Sequence, residues 1–520
     1  MTHAPPLLRS LILYAICLPL ALFLGYLLAN PLQWSSFVPV LAMMFLLILP
    51  LLLRFHHPLM VLGWNATMIV FFLPGAPGVW LPLVAMSLFI SVLRRTVDQR
   101  YRFITVPEIT WPLVVLALII LATAEATGGI KLRSMGGEVY GGKKYIFLLM
   151  GIAGYFALTA QRVPVSRAKL YLSLFLLGGA TTLIGDVLYT GNRALAFVYW
   201  FFPPNTFMLG ETLNSVGTRF AGIAGVCIVL FSFMLAKYGI REIFSSRRPW
   251  RLIIFACIAF GSLLGGFRST FIYLGLLFFV QFLLEKMHRT KLFPILLVGC
   301  LLAAVVTLPF AKKLPYGAQR ALSVLPINID QAARSDADAS VDWRLEIWKA
   351  VLPQVPKYLW LGKGVALTQE DYSFVVSNYT GTMQAFSEDQ SWAALAGDYH
   401  SGPLSVIIPF GIWGAAAFLW FLTAGFRMLY RNYRYGDPEL ATVNSFLFAA
   451  FCTKVILFFV IYGAFAYDMQ VFCGYLGMSV CLNGGVARPA PKPVPETVPL
   501  GGLSKFPARR RPAFGRSGQA

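Results

Sequence analysis

The chain has five histidines, and their neighbours separate them. His3 is terminal, His56 and His57 follow Arg54, and His288 lies among Lys286, Arg289 and Lys291. His400, in AGDYHSGPL, instead closes a long polar gap directly before an apolar run. An imidazole at a membrane rim can hold a substrate hydroxyl or accept its proton near neutral pH. The bland alternative is an interfacial histidine that caps a loop. Asp398, two residues earlier, is close enough in sequence to orient the ring. Three arginines also stand against apolar runs: Arg219 in NSVGTRFAG, Arg268 in SLLGGFRSTFIYLG, and Arg344 in SVDWRLEIWKAVLPQVPKYLWLGKG. Each alone reads as an interfacial anchor. As a set they read as a phosphate site, because a guanidinium fork matches phosphate oxygens in a bidentate manner. Trp348 shares a helical face with Arg344 at i, i+4. Asp186, Glu125, Glu211 and Asp468 fall near span ends, where each could pair with an arginine or act as a base.

No HExxH or His/Cys cluster occurs, so no metal or other cofactor is expected. The glycine-rich stretch 128–143 has no GKS or GKT ending and reads as a loop rather than a phosphate cradle. The seven cysteines all fall in apolar runs and read as small core residues.

The elements that must position these residues are membrane spans. Of 520 residues, 58% are hydrophobic and 12% charged, about half the charged share of a soluble domain. Runs long enough to cross a bilayer fall near 8–29, 36–53, 58–75, 79–93, 110–127, 144–161 and 168–189. Others fall near 217–238, 249–267, 269–286, 292–311, 403–425, 440–463 and 465–483. The expected fold is therefore an all-α polytopic membrane protein with about 12–14 transmembrane helices. Basic clusters follow every second span: Arg54, Arg94 to Arg102, Arg162 to Lys169, Lys237 to Arg251, Lys286 to Lys291, Arg427 to Arg434, and the tail. By the positive-inside rule both termini are cytoplasmic and the other gaps face outward. The net charge of +21 then reads as inner-leaflet anchoring to membrane lipids, not nucleic-acid binding.

Arg268 falls in an outward gap, at a helical hairpin whose turn Gly265 and Gly266 permit. Residues 312–402 form an outward loop of roughly ninety residues, a length that is usually functional. Around Arg344, the residues Trp343, Leu345, Ile347, Trp348 and Val351 fit an amphipathic helix lying on the bilayer surface, ended by Pro353 and Pro356. Residues 190–216, with FVYWFFPPNTF, read as an interfacial belt, a re-entrant segment or a lipid access lip. Lys454 lies inside a span, where pairing with Asp468 competes with lining a transport path. The organisation expected is N-terminal spans in 1–209, central spans carrying arginines in 210–311, and the loop in 312–402. C-terminal spans follow in 403–483 and a basic disordered tail in 484–520.

Over roughly 210–425 the chain resembles the O-antigen ligase and polymerase superfamily. The features are the many spans, TRFAG opening a mid-chain span, GGFRST in a hairpin turn, the helix WRLEIWKAVLPQVPKYLWLGKG, and HSGPLSVIIPFGIWG. Ser401 stands where the family often has Asn, and Phe267 where it often has Ser. The resemblance implies a metal-independent, GT-C-like glycosyltransferase of the bacterial inner membrane. It would take a glycan from undecaprenyl diphosphate and pass it to a lipid A-core hydroxyl, or to another glycan in a polymerase. Arg219, Arg268 and Arg344 would hold the diphosphate, His400 would orient or deprotonate the acceptor, and Asp398, Trp348 and Glu211 would support them. A transporter or flippase is the main rival, and a non-catalytic assembly subunit is a third. A transporter needs charges near the midplane, and Lys454 is the one clear case in the sequence.

The topology makes a direct expectation for cysteine labelling, in a background whose native cysteines do not label. Ser377→Cys should label from outside intact cells and Ser517→Cys should not. External labelling at position 517 would reverse the assignment.

Overall fold

The computed structural model describes residues 34–127 except 74, then 142–190, 193–204, 220–365, 397 and 399–489, with scattered positions between 14 and 25. Among the described residues every regular element is a helix, and the one β-pairing is an isolated bridge between Ile69 and Gly78. Among the described residues, six helical segments are long and apolar enough to cross a membrane: Trp80–Val97, Pro107–Ala126, Val165–Tyr189, Ala221–Ile243, Gly402–Tyr435 and Pro438–Val460. The chain is a multi-pass membrane protein.

The N-terminal half contains α1 (Trp34–Gly63), α2 (Trp80–Val97), α3 (Pro107–Ala126), α4 (Gly142–Thr159), α5 (Ala168–Leu177) and α6 (Thr182–Thr190). Next come α7 (Ala221–Ile243), α8 (Trp250–Leu263), α9 (Arg268–Leu284) and α10 (Leu292–Thr307). Three further elements follow, the short α11 (Tyr316–Leu322) and α13 (Gln354–Tyr358) and, between them, the longer α12 (Gln331–Val351). The chain re-enters the bundle as α14 (Gly402–Tyr435), α15 (Ala441–Val460) and α16 (Phe465–Asn483).

One expectation fails at the start. Residues 36–53 and 58–75 do not form two spans. A single helix, α1, runs through Arg54, and residues 64–79 are almost wholly non-helical. The segment after α1 has its backbone groups satisfied by other parts of the fold. Ile69 N–H donates to Phe201 O at 2.8 Å, Val70 N–H to Pro77 O at 2.8 Å, and Val79 N–H to Met68 O at 2.8 Å. Asn65 Nδ2 donates to Phe175 O at 2.7 Å, and Gln470 Nε2 to Trp64 O at 2.6 Å. Non-helical backbone at membrane depth survives only with such partners. The run 168–189 is also interrupted, by a 3₁₀ turn at Gly178–Thr181 between α5 and α6. A Cβ on Gly178 would come within 2.0 Å of Leu62 O, so the bend lets two backbones touch.

The core lies where α16 packs along α4. Gly151 faces the backbone of Gln470, Gly474 faces the Trp64 ring, and Gly477 faces Leu158. Small residues at such contacts let helices approach, since apolar burial gives no drive within lipid. Phe418, Phe451, Phe458, Phe465 and Phe472 interleave between α14, α15 and α16.

Lys454 on α15 pairs with Asp468 on α16, Nζ to Oδ1 at 2.6 Å, and Asp468 Oδ2 accepts the Ala464 N–H at 3.0 Å. The pair ties two spans together and leaves no isolated mid-span charge at that place. Lys454→Ala should cost about 3–5 kcal/mol, because it strands a buried carboxylate. A second change, Asp468→Ala, should recover most of the loss. Thermal melting of the detergent-solubilised protein measures both; equal melting of the single and wild-type chains would show that the pair contributes nothing.

Candidate functional site

The hairpin between α8 and α9 turns at Gly265 and Gly266, the latter at φ +74° where side chains are strained. Arg268 is the first residue of α9. A cation there opposes the helix dipole, so the position needs compensating partners. One is the carbonyl of Ala337 on α12, which accepts a hydrogen bond from Arg268 Nη2. Helix α11 wedges beneath this contact. Arg320 Nη1 donates to Gly266 O at 3.0 Å, and Arg320 Nε pairs with Asp336 Oδ2 at 2.7 Å. The Tyr316 hydroxyl donates to the same carboxylate oxygen at 3.3 Å. The hairpin tip and α12 are thus bolted together.

Arg344 follows Ala337 by two turns of α12, about 10 Å along the axis. Its pKa is lowered, first by burial and then by the positive charge of Arg268, while Tyr462 acts in the opposite direction. Two guanidiniums that repel one another in a half-buried setting form a site that an anion relieves.

Below Arg344, Ile347 and Val351 pack with Tyr399, Leu404 and Ile408 in a separate apolar cluster. Trp348 leans on this cluster, and its Nε1 donates to Tyr399 O at 2.8 Å. That bond holds the residue next to His400. The His400 backbone is at φ +47°, a region costly for any side chain with a Cβ. Its ring meets Trp343 edge-on at 4.9 Å and Tyr462 at 5.0 Å, tilted by 49°. Trp343 directly precedes Arg344, so one turn of α12 serves both the arginine and the histidine.

A break in α14 anchors the far end of the loop helices. At Gly411 (φ +64°) the helix hydrogen-bond ladder fails, just after Pro409. Ile412 N–H turns to Leu359 O at 2.7 Å. The carbonyls of Ile408 and Pro409 accept from Lys363 N–H at 2.8 Å and Gly364 N–H at 2.9 Å. Gly362 (φ +70°) and Gly364 (φ +75°) supply the backbone shape, and a Cβ on Gly362 would lie 2.3 Å from Pro409 O.

The structure therefore brings together four sequence-derived candidates, Arg268, Arg344, Trp348 and His400. Arg219, Glu211 and Asp398 lie outside the described residues. Glu125 is exposed at the end of α3, and Asp468 is committed to Lys454. Asp186 is buried, and its Oδ2 accepts Gly222 N–H at 2.5 Å at the start of α7. Tyr462 was not a candidate, since a tyrosine at a span end reads as an interfacial residue. Among the described residues no group of His, Cys, Asp and Glu could hold a metal ion.

Residues 252–419 match the family model described as Wzy_C, O-Antigen ligase. Over that stretch, about a third of its length, the chain is similar to the O-antigen ligase family. The match begins in α8 and ends in α14, so it spans Arg268, Arg344, His400 and the break at Gly411, and it excludes Arg219 and Tyr462. No curated protein matches the chain. The match supports an O-antigen ligase-like domain within a multi-pass membrane protein.

Proposed function

We propose that the chain transfers a glycan from undecaprenyl diphosphate to a sugar hydroxyl of lipid A-core, on the outer face of the inner membrane. The observation that carries this reading is the meeting of Arg268, Arg344 and His400 around one helix, α12. The diphosphate-linked sugar is the donor. The acceptor oxygen attacks the anomeric carbon, the bond from that carbon to the diphosphate oxygen breaks, and the bonding pair leaves on the carrier. Arg268 and Arg344 neutralise the charge that grows on the leaving diphosphate, where preorganised donors act most strongly. His400 takes the proton from the acceptor hydroxyl and passes it to water. Two guanidiniums supply the neutralisation that a divalent cation supplies elsewhere, so the reading is metal-independent. Arg219, two residues before the start of α7 in the sequence, is the third diphosphate ligand in this proposal, with Glu211 and Asp398 in support.

Several features favour an enzyme over a transporter. The Lys454–Asp468 pair fills the mid-span position that a transport path would use. The remaining unusual groups gather at one end of the bundle, where α12 meets the starts of α9 and α14.

Reconstituted protein with lipid-linked donor and lipid A-core acceptor tests the proposal. His400→Ala should lose about 10²–10⁴-fold in transfer, the range of one positioned acid–base group. Its melting temperature and donor binding should stay near wild type. Normal transfer by a well-folded variant would make the histidine structural. Lengthening of the lipid-linked glycan in place of transfer to lipid A-core would make the chain a polymerase.

A further inference from the structure

We propose that Tyr462 is a positioning residue of this site: its ring and that of Trp343 grip the His400 imidazole from two sides and hold it toward the acceptor. The proposal rests on the functional reading above for what the imidazole does. It rests on geometry alone for what holds it.

Tyr462 lies in the short connection between α15 and α16. It is there because α15 ends abruptly: Ile461 N–H and Tyr462 N–H both donate to Leu457 O, at 3.0 and 2.8 Å. The chain then passes over the start of α14 at close range. A Cβ on Gly463 would come within 2.7 Å of Gly402 Cα, and one on Gly402 within 2.2 Å of Phe458 O. Two glycines facing each other let these backbones touch. That contact sets residue 462 beside residue 400, and the rings meet at 5.0 Å.

The histidine needs such support. A non-glycine residue at φ +47° persists only when its surroundings over-determine it. Trp343 supplies one wall from α12 and Tyr462 the other from the α15–α16 connection. An interfacial anchor would be more exposed, as Tyr467 is at 53% exposure. Tyr462 is instead half-buried against an imidazole. The site therefore draws on a segment beyond the part of the chain that the family model covers.

The test uses the full chain in proteoliposomes, with Tyr462→Ala and Tyr462→Phe. Tyr462→Ala should lower kcat by up to about 10²-fold, the effect of a small misplacement of a reacting group, with the donor KM unchanged. Tyr462→Phe should restore most of that loss, since the ring does the holding. A second readout needs no turnover: carbethoxylation of His400 by diethyl pyrocarbonate, followed by peptide mass spectrometry. It should quicken several-fold in Tyr462→Ala and return to the wild-type rate in Tyr462→Phe. If Tyr462→Ala does not accumulate, Tyr462→Leu takes its place with the same expectations. Wild-type kcat together with a wild-type modification rate in the alanine variant would overturn the proposal. So would equal losses in the alanine and phenylalanine variants. Absence of transfer by the wild-type chain would count against the functional reading, and the modification rates would still decide the positioning role.

Discussion

Inside a bilayer, a broken helix must find partners for every N–H and C=O it releases. Helix α14 breaks at Gly411, and residues 359–364 supply those partners. Much of the site follows from this one requirement. The plug fixes the C-terminal end of the loop helices, and the apolar cluster of Ile347, Val351, Tyr399, Leu404 and Ile408 fixes α12 against the start of α14. With α12 fixed at that end, Arg344 has a defined place, and the Ala337 carbonyl meets Arg268 at the hairpin tip. The two glycines of LGKG are needed because both lie at φ values that side chains resist.

The electrostatics run against the fold. Two arginines are drawn toward each other where water is partly excluded, and the charge of each disfavours the other. The Asp336 carboxylate pairs with Arg320 beneath the hairpin. Strain of this kind is common where a ligand restores the balance, and a diphosphate carries the charge and the oxygen geometry to do so. The strained backbone of His400 belongs to the same pattern.

Much of this was legible in the sequence. Apolar length located most helices, and charge at unexpected positions located Arg268, Arg344 and His400. The helical period placed Trp348 on the face of Arg344, and the helix expected around Arg344 is α12. The expected spans 36–53 and 58–75 were misread because apolar length does not distinguish a helix from a buried irregular segment. Asn65, Pro74, Gly75, Pro77 and Gly78 carried the warning. The break in α14 was signalled by Pro409 and Gly411, but its partner, LGKG, lies some fifty residues earlier, and only the fold joins them. Tyr462 was missed for the same reason. It reaches His400 through the Gly402–Gly463 contact, which no local pattern encodes.

The central claim is that Arg268 and Arg344 act as one anion site. A double-mutant cycle on donor affinity tests it most directly, with Arg268→Gln, Arg344→Gln and the double variant measured in lipid nanodiscs against a lipid-linked diphosphate sugar. The account predicts that the two losses do not add, with a coupling energy above about 0.5 kcal/mol, as for groups that share a ligand. Losses that add to within about 0.3 kcal/mol would place the arginines in separate sites and contradict it.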